Sequence, residues 1–142
     1  MSDTLGNDLF IKMMKADFIN LNNKFKTGML MNDEGKRLFI KQVFPKNHPS
    51  CADVFFQYAH VVTINGQLKS DPGVILGFDL TNKAVLPILY RNDLLDHSIH
   101  IYHNGKLDEA KEEWLLEYWG AWLEELKAND YDLLEEVQLK TA

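Results

Sequence analysis

The reading of the fold turns on residues 52–80, "ADVFFQYAHVVTINGQLKSDPGVILGFDL". From Val54 to Ile64 the stretch is dense in aromatic and β-branched residues, the composition of a strand on a half-buried sheet. Alternation gives it two faces, with Val54, Phe56, Tyr58, His60, Val62 and Ile64 on one and Phe55, Gln57, Ala59, Val61 and Thr63 on the other. Asn65-Gly66 is a favoured two-residue hairpin turn, although the short "QLKS" after it also fits a longer loop. "DPG" then reads as punctuation before a further strand, "VILGFDL". "TNK" turns the chain into "AVLPILY", where Pro87 lacks a ladder donor and so predicts an edge position or a bulge. "SIHIYH" forms a last short strand that closes at Asn104-Gly105.

Outward from this core the period changes. Phe10, Met14, Phe18, Leu21 and Phe25 recur at three- and four-residue steps, which predicts an N-terminal helix capped by Asn7 or Asp8 and ended by Gly28. "GMLMNDEGKRLFIKQVF" then reads as a hairpin turning at "NDEG", with Leu38, Ile40, Val43 and Phe44 as the apolar positions of its second strand. After Leu107 a helical stripe returns: Leu115, Tyr118, Trp119, Trp122 and Leu126, with Trp114, Leu116 and Leu123 on its margins. Asp108 and Glu109 stand where the helix dipole favours negative charge. A short last helix is expected from about Tyr131 to Leu139. The order predicts an α+β fold over a single domain, residues 1–142. It comprises an N-terminal helix, a curled antiparallel meander of about five or six strands, and a long Trp-rich helix packed on one sheet face.

Composition limits the function classes. One cysteine, Cys51, excludes an internal disulfide and a cysteine-only zinc site. The N-terminus has acids and a glycine where a secretory signal needs a basic start and an apolar run, and no stretch approaches the roughly 20 apolar residues of a membrane span. These features predict a cytoplasmic chain with no membrane association. The net charge of −6 is concentrated after residue 105, where eleven acids face four lysines. A phosphate-backbone binder needs a basic stripe, and the lysines of the first third are spread over a helix and a strand, which disfavours nucleic acid as a partner.

The segments "NGQLKSDPGVILGF" and "AVLPILYRNDLLDHSIHIY" resemble a family of uncharacterised small proteins of plasmids, phages and other mobile elements, catalogued as a domain of unknown function. Its pattern is Asn-Gly-x-Leu-x-x-Asp-Pro followed by Pro-x-x-Tyr-x-Asn-Asp. Here those positions are Asn65, Gly66, Leu68, Asp71, Pro72, Pro87, Tyr90, Asn92 and Asp93, with Tyr102 as a later aromatic. The resemblance covers about residues 58–102 and implies a mobile-element accessory domain; it supplies no catalytic residue and no cofactor.

Chemistry read directly from the residues is sparse. His97, His100 and His103 recur every third residue, but a strand sends His97 and His103 one way and His100 the other, so no metal site is expected. Cys51 with His48 or His60 has no evident oxyanion hole or orienting third group. Carboxylate pairs such as Asp71 with Asp79, or Asp93 with Asp96, suit acid–base work but are also turn formers. If "DPG" and "RND" end neighbouring strands, Asp71, Tyr90, Arg91, Asn92 and Asp93 gather at one rim as a recognition patch. Trp114, Trp119 and Trp122 offer a second binding surface, since the aromatic stripe is wider than one sheet face needs. The favoured function is a non-enzymatic protein-binding accessory factor of a phage or plasmid, acting on a host or element-encoded protein or on a second copy of itself. The alternative is a small enzyme or ligand-binding domain using the rim of Asp, His and Tyr residues.

Overall fold

The computed structural model describes residues 2–16, 18–20, 22, 24–31, 36–46, 48–128 and 132–135, the backbone alone for 2–4, 127, 128 and 132–135. A helix, α1 (Ser2–Lys15), precedes six strands: β1 (Gly28–Met31), β2 (Arg37–Val43), β3 (Val54–Ile64), β4 (Gln67–Asp79), β5 (Ala84–Asn92) and β6 (His97–His100). A small hairpin of β7 (Tyr102–His103) and β8 (Lys106–Leu107) leads into α2 (Glu109–Ala128), and β9 (Asp132–Glu135) follows. Strands β1 to β6 pair antiparallel in chain order, an open meander, and β9 adds to it beside β1. The α+β architecture expected from the sequence is the one observed.

The strand pattern follows from side-chain alternation and turn chemistry. Asn65 and Gly66 both have positive φ, at 51° and 79°, and join β3 to β4 directly; Asn104 and Gly105 do the same between β7 and β8. These are the backbone angles that Asn-Gly pairs tolerate and that match the twist of the flanking strands. Strand β4 therefore starts at Gln67 and runs through "DPG" without a break. Ala59 pairs with Gly73 and Val61 with Ser70, so the single residue His60 faces two residues, Asp71 and Pro72. The expected punctuation is a β-bulge, and a proline inside a strand is tolerated at such a site. The peptide bond before Pro72 is cis. Pro87 likewise sits by a bulge: Ile75 pairs with Leu89 and Leu76 with Pro87, leaving Ile88 extra.

Both helices cover one sheet face, α1 lying on β5 and α2 on α1 and β5. Leu38, Ile40, Phe56, Tyr58, Val74, Leu76, Phe78 and Tyr90 meet Leu9, Phe10, Met13, Leu115, Leu116, Trp119 and Leu123 in one core. Gly6 lets α1 approach the sheet closely, since a Cβ there would lie 2.8 Å from the Val85 carbonyl oxygen. The Asn7 side chain fixes the same contact by donating to the carbonyls of Asn82 and Lys83 at 2.8 and 2.9 Å. Asp108 caps α2, accepting the Lys111 backbone N–H at 3.2 Å.

Several expectations need correction, among them the single strand "SIHIYH", which divides into β6, on the main sheet, and β7, paired with β8 in a separate two-stranded sheet. Helix α1 begins at Ser2, before Asn7 and Asp8, and ends at Lys15. Phe18 and Phe25 enter the core from an irregular segment where Asn20 Oδ1 accepts the N–H groups of Asn22 and Lys24, a local bond that competes with helix. Gly28 (φ 131°) opens β1 instead of closing a helix. Of the expected last helix, the described part, Asp132–Glu135, is a strand on the edge of β1. Leu21 and the "NDEG" turn lie outside the described residues. Phe44 falls past the end of β2 and is 79 % exposed.

Candidate functional site

Four of the five expected rim residues gather, and the fifth, Tyr90, packs under the aromatic residues of α2. At the bulge, Asn92 Nδ2 donates to Asp71 Oδ1 at 3.0 Å, and Asn92 Oδ1 accepts the backbone N–H groups of Leu94 and Leu95 at 3.1 and 3.2 Å. Asp93 exchanges bonds with Ser70: its N–H donates to the Ser70 carbonyl at 2.8 Å and its Oδ2 accepts the Ser70 N–H at 2.7 Å. Arg91 reaches Asp93 Oδ1 through Nε and Nη2, at 3.1 and 2.8 Å. Burial pushes the Asp93 carboxyl up, but the Ser70 N–H and the Arg91 guanidinium outweigh it and hold the group below its ordinary range. All these bonds are internal, and Asn92 is buried. The polar rim therefore holds the β5–β6 turn against the β4 bulge.

The aromatic residues divide by helical phase. Trp114, Tyr118 and Trp122 lie four apart on one flank of α2 and form a continuous row. Trp114 stacks on Tyr118 at 5.4 Å between ring centres, and Tyr118 meets Trp122 edge-on at 6.3 Å. Beneath the row, Tyr90 from β5 touches Trp114, Tyr118 and His97, at 5.4, 5.3 and 5.9 Å, and His60 from β3 touches Trp122 at 5.0 Å. Trp114 keeps 40 % of its surface exposed, and Leu94 and Leu95 protrude from the adjoining turn at 46 % and 70 %. Trp119 is different. One position out of phase with the row, it points into the sheet against Tyr58, is fully buried and cannot contribute to a binding surface. Trp122 is 6 % exposed and shows only an edge.

Beyond the row, two cavities of about 570 and 280 Å³ meet at His60 and Lys36. Arg37, Thr63 and Asp71 line the larger; Pro72, Tyr118, Trp122 and Glu125 line the smaller. Burial and then the Lys36 charge lower the His60 pKa, against the opposing pull of Glu125 and Asp71. Burial raises the Tyr118 phenol to about 12, with Tyr90, Glu125 and Asp71 adding to it. The Arg37 guanidinium donates to Thr63 Oγ1 at 3.0 Å.

The other candidate chemistries separate in space. Cys51 donates its thiol to Asp79 Oδ2 at 3.7 Å, and burial with the Asp79 charge pushes its pKa up, away from a reactive thiolate. Asp79 is occupied by the β4–β5 turn, accepting from the Asn82 N–H and Nδ2 at 3.0 and 2.8 Å. His48 engages Ser50 instead of the cysteine. Asp93 and Asp71 belong to the turn network, so the carboxylate pairs do not face each other across a common site. His97 packs on Tyr90, His100 lies on the opposite sheet face beside Ile88 and Leu89, and His103 contacts Lys111 Nζ at 3.2 Å. Among the described residues no three metal-ligating side chains converge, and no helix is long and apolar enough to cross a membrane.

Compared with family models, with curated proteins and with solved structures, the chain matches none.

The cleft at His60 is built on the bulge that reads in the sequence as punctuation. Its signal is Asp-Pro inside a strand flanked by Gly66 and Gly73: read as a bulge, it sets Asp71 against His60.

Proposed function

We propose that the protein is a non-enzymatic protein-binding module that docks its partner on the aromatic flank of α2 and the adjoining β5–β6 turn. One observation carries this reading: Trp114 is held at the surface by stacking on Tyr118 and an edge contact to Tyr90, with two leucines exposed on the turn that follows Asn92. Rigid, exposed aromatic groups lose little freedom on binding, and tryptophan and tyrosine dominate the energetics of protein interfaces. Glu113 and Glu117 flank Trp114 on the exposed side of the helix, which favours a partner with a basic rim around an apolar centre. The resemblance of residues 58–102 to mobile-element proteins adds the setting: an accessory factor of a phage or plasmid acting on a host or element-encoded protein in the cytoplasm.

Native mass spectrometry of the untagged protein after exposure to host lysate tests the reading. The wild type is expected to carry a partner of defined mass that Trp114→Ala loses and Phe44→Ala, altered at an exposed aromatic elsewhere, retains. A second copy would register as a dimer in the same spectrum. Equal capture by both variants refutes the assignment.

A further inference from the structure

The cleft around His60 has a charge arrangement that the protein-docking surface does not use. Because the strand order is β2-β3-β4, His60 on β3 has β2 on one side and β4 on the other. Lys36 and Arg37, at the start of β2, bring positive charge to one side; Asp71, in the β4 bulge, brings negative charge to the other, and Glu125 adds a second carboxylate from α2 above. Tyr118, Trp122 and Pro72 supply an apolar wall next to these charges. Two positive and two negative side chains make the cleft neutral overall but dipolar across a short span. A singly charged ligand gains from one side and is repelled by the other, whereas a zwitterion satisfies both. The larger lobe, about 570 Å³, falls within the size range of small-molecule sites, and the smaller adds about 280 Å³ beside it.

We propose that this cleft binds a small zwitterion of the amino-acid class bearing an apolar or aromatic side chain. Its carboxylate lies toward Lys36 and Arg37, its ammonium toward Asp71 and Glu125, and its side chain against Tyr118, Trp122 and Pro72. The site is reversible and involves no bond-making step. It shares Tyr118 and Trp122 with the aromatic flank of α2 but does not depend on the docking reading, because the exposed groups on which that reading rests, Trp114, Leu94 and Leu95, do not line the cleft.

Isothermal titration with four compounds tests the proposal: phenylalanine, phenylalaninamide, which keeps only the positive charge, 3-phenylpropionate, which keeps only the negative, and glycine, which lacks the side chain. Phenylalanine is expected to bind saturably at one site, with each of the other three weaker by about ten-fold or more, the scale for losing one charged or apolar anchor. Lys36→Gln and Glu125→Gln, both at exposed positions that leave the core intact, are each expected to weaken phenylalanine by a similar factor, with circular dichroism reporting an unchanged fold. Absence of saturable binding by phenylalanine overturns the proposal. So does binding of a singly charged analogue as tight as that of phenylalanine, or binding that survives both substitutions.

Discussion

Asn92→Ala separates a residue that holds the fold from one that merely decorates it. Three hydrogen bonds end on this buried side chain, one to Asp71 and two from the N–H groups of Leu94 and Leu95. At about 1 kcal/mol net for each bond the loss is about 3 kcal/mol, and water reaching the two turn N–H groups reduces it to about 2. For a domain of this size that corresponds to a fall in Tm of about 6–10 °C. The matched comparison is Arg91→Ala. Its side chain is 43 % exposed and its ion pair with Asp93 is an exposed one, worth about 0–1 kcal/mol, so a fall of a few degrees at most is expected. Differential scanning calorimetry of the two variants gives the answer. An Asn92→Ala Tm that falls no further than that of Arg91→Ala would refute the claim that the rim network holds the turn, and would return Asn92 to the recognition surface expected from the sequence.

Three further outcomes follow from buried groups. The Tyr58 hydroxyl is fully buried with no hydrogen-bond partner among the described residues, so Tyr58→Phe should raise stability by about 1 kcal/mol in urea titration while keeping the edge contacts to Phe18 and Phe78; a loss of stability would show that the hydroxyl is satisfied. Gly6→Val should destabilise by about 2 kcal/mol or more, because the new Cβ lies within 2.8 Å of the rigid Val85 carbonyl, and a variant as stable as the wild type would mean that α1 is not seated on β5 in solution. Burial lowers the folded-state pKa of both His48 and His60 below the 6.5 of an unfolded histidine. The unfolded chain then takes up protons first as the pH falls, so stability should be full above about pH 6.5 and decline below it. His60→Gln should flatten part of that decline, and an unchanged pH profile would place His60 outside the buried environment described.

The sheet was legible because its signals are local. Val54–Ile64 alternates over eleven residues, and two Asn-Gly pairs have backbone requirements that few other dipeptides meet. The helix α2 was legible for the same reason, its period and the acids at its start both being written in adjacent residues. The errors came where a distant partner decides. Phe18 and Phe25 match helical spacing by position, but the core needs apolar groups there whatever the backbone does, and the Asn20 side chain draws the chain into a turn. Asp132–Glu135 becomes a strand because β1 offers an open edge, information that propensity does not contain. Asp71, Arg91, Asn92 and Asp93 come together as expected, but "DPG" lies inside β4 instead of ending it and Tyr90 turns to the aromatic row, and whether the rim hydrogen bonds point inward or outward depends on the register set by the bulge. Trp119 and Trp122 were read as one stripe with Trp114 on its margin; the row at 114, 118 and 122 and the buried position 119 separate only once the helix has a sheet beneath it.

Site-directed photo-crosslinking in host cells tests the docking surface most directly. A benzophenone side chain placed at Glu113, beside Trp114, is compared with one placed at Phe44, which is exposed outside the proposed surface. A discrete protein adduct, or a crosslinked dimer, is expected from position 113, lost when Trp114→Ala is added, and none from position 44. No adduct at 113, or the same adduct from both positions, would contradict the docking assignment.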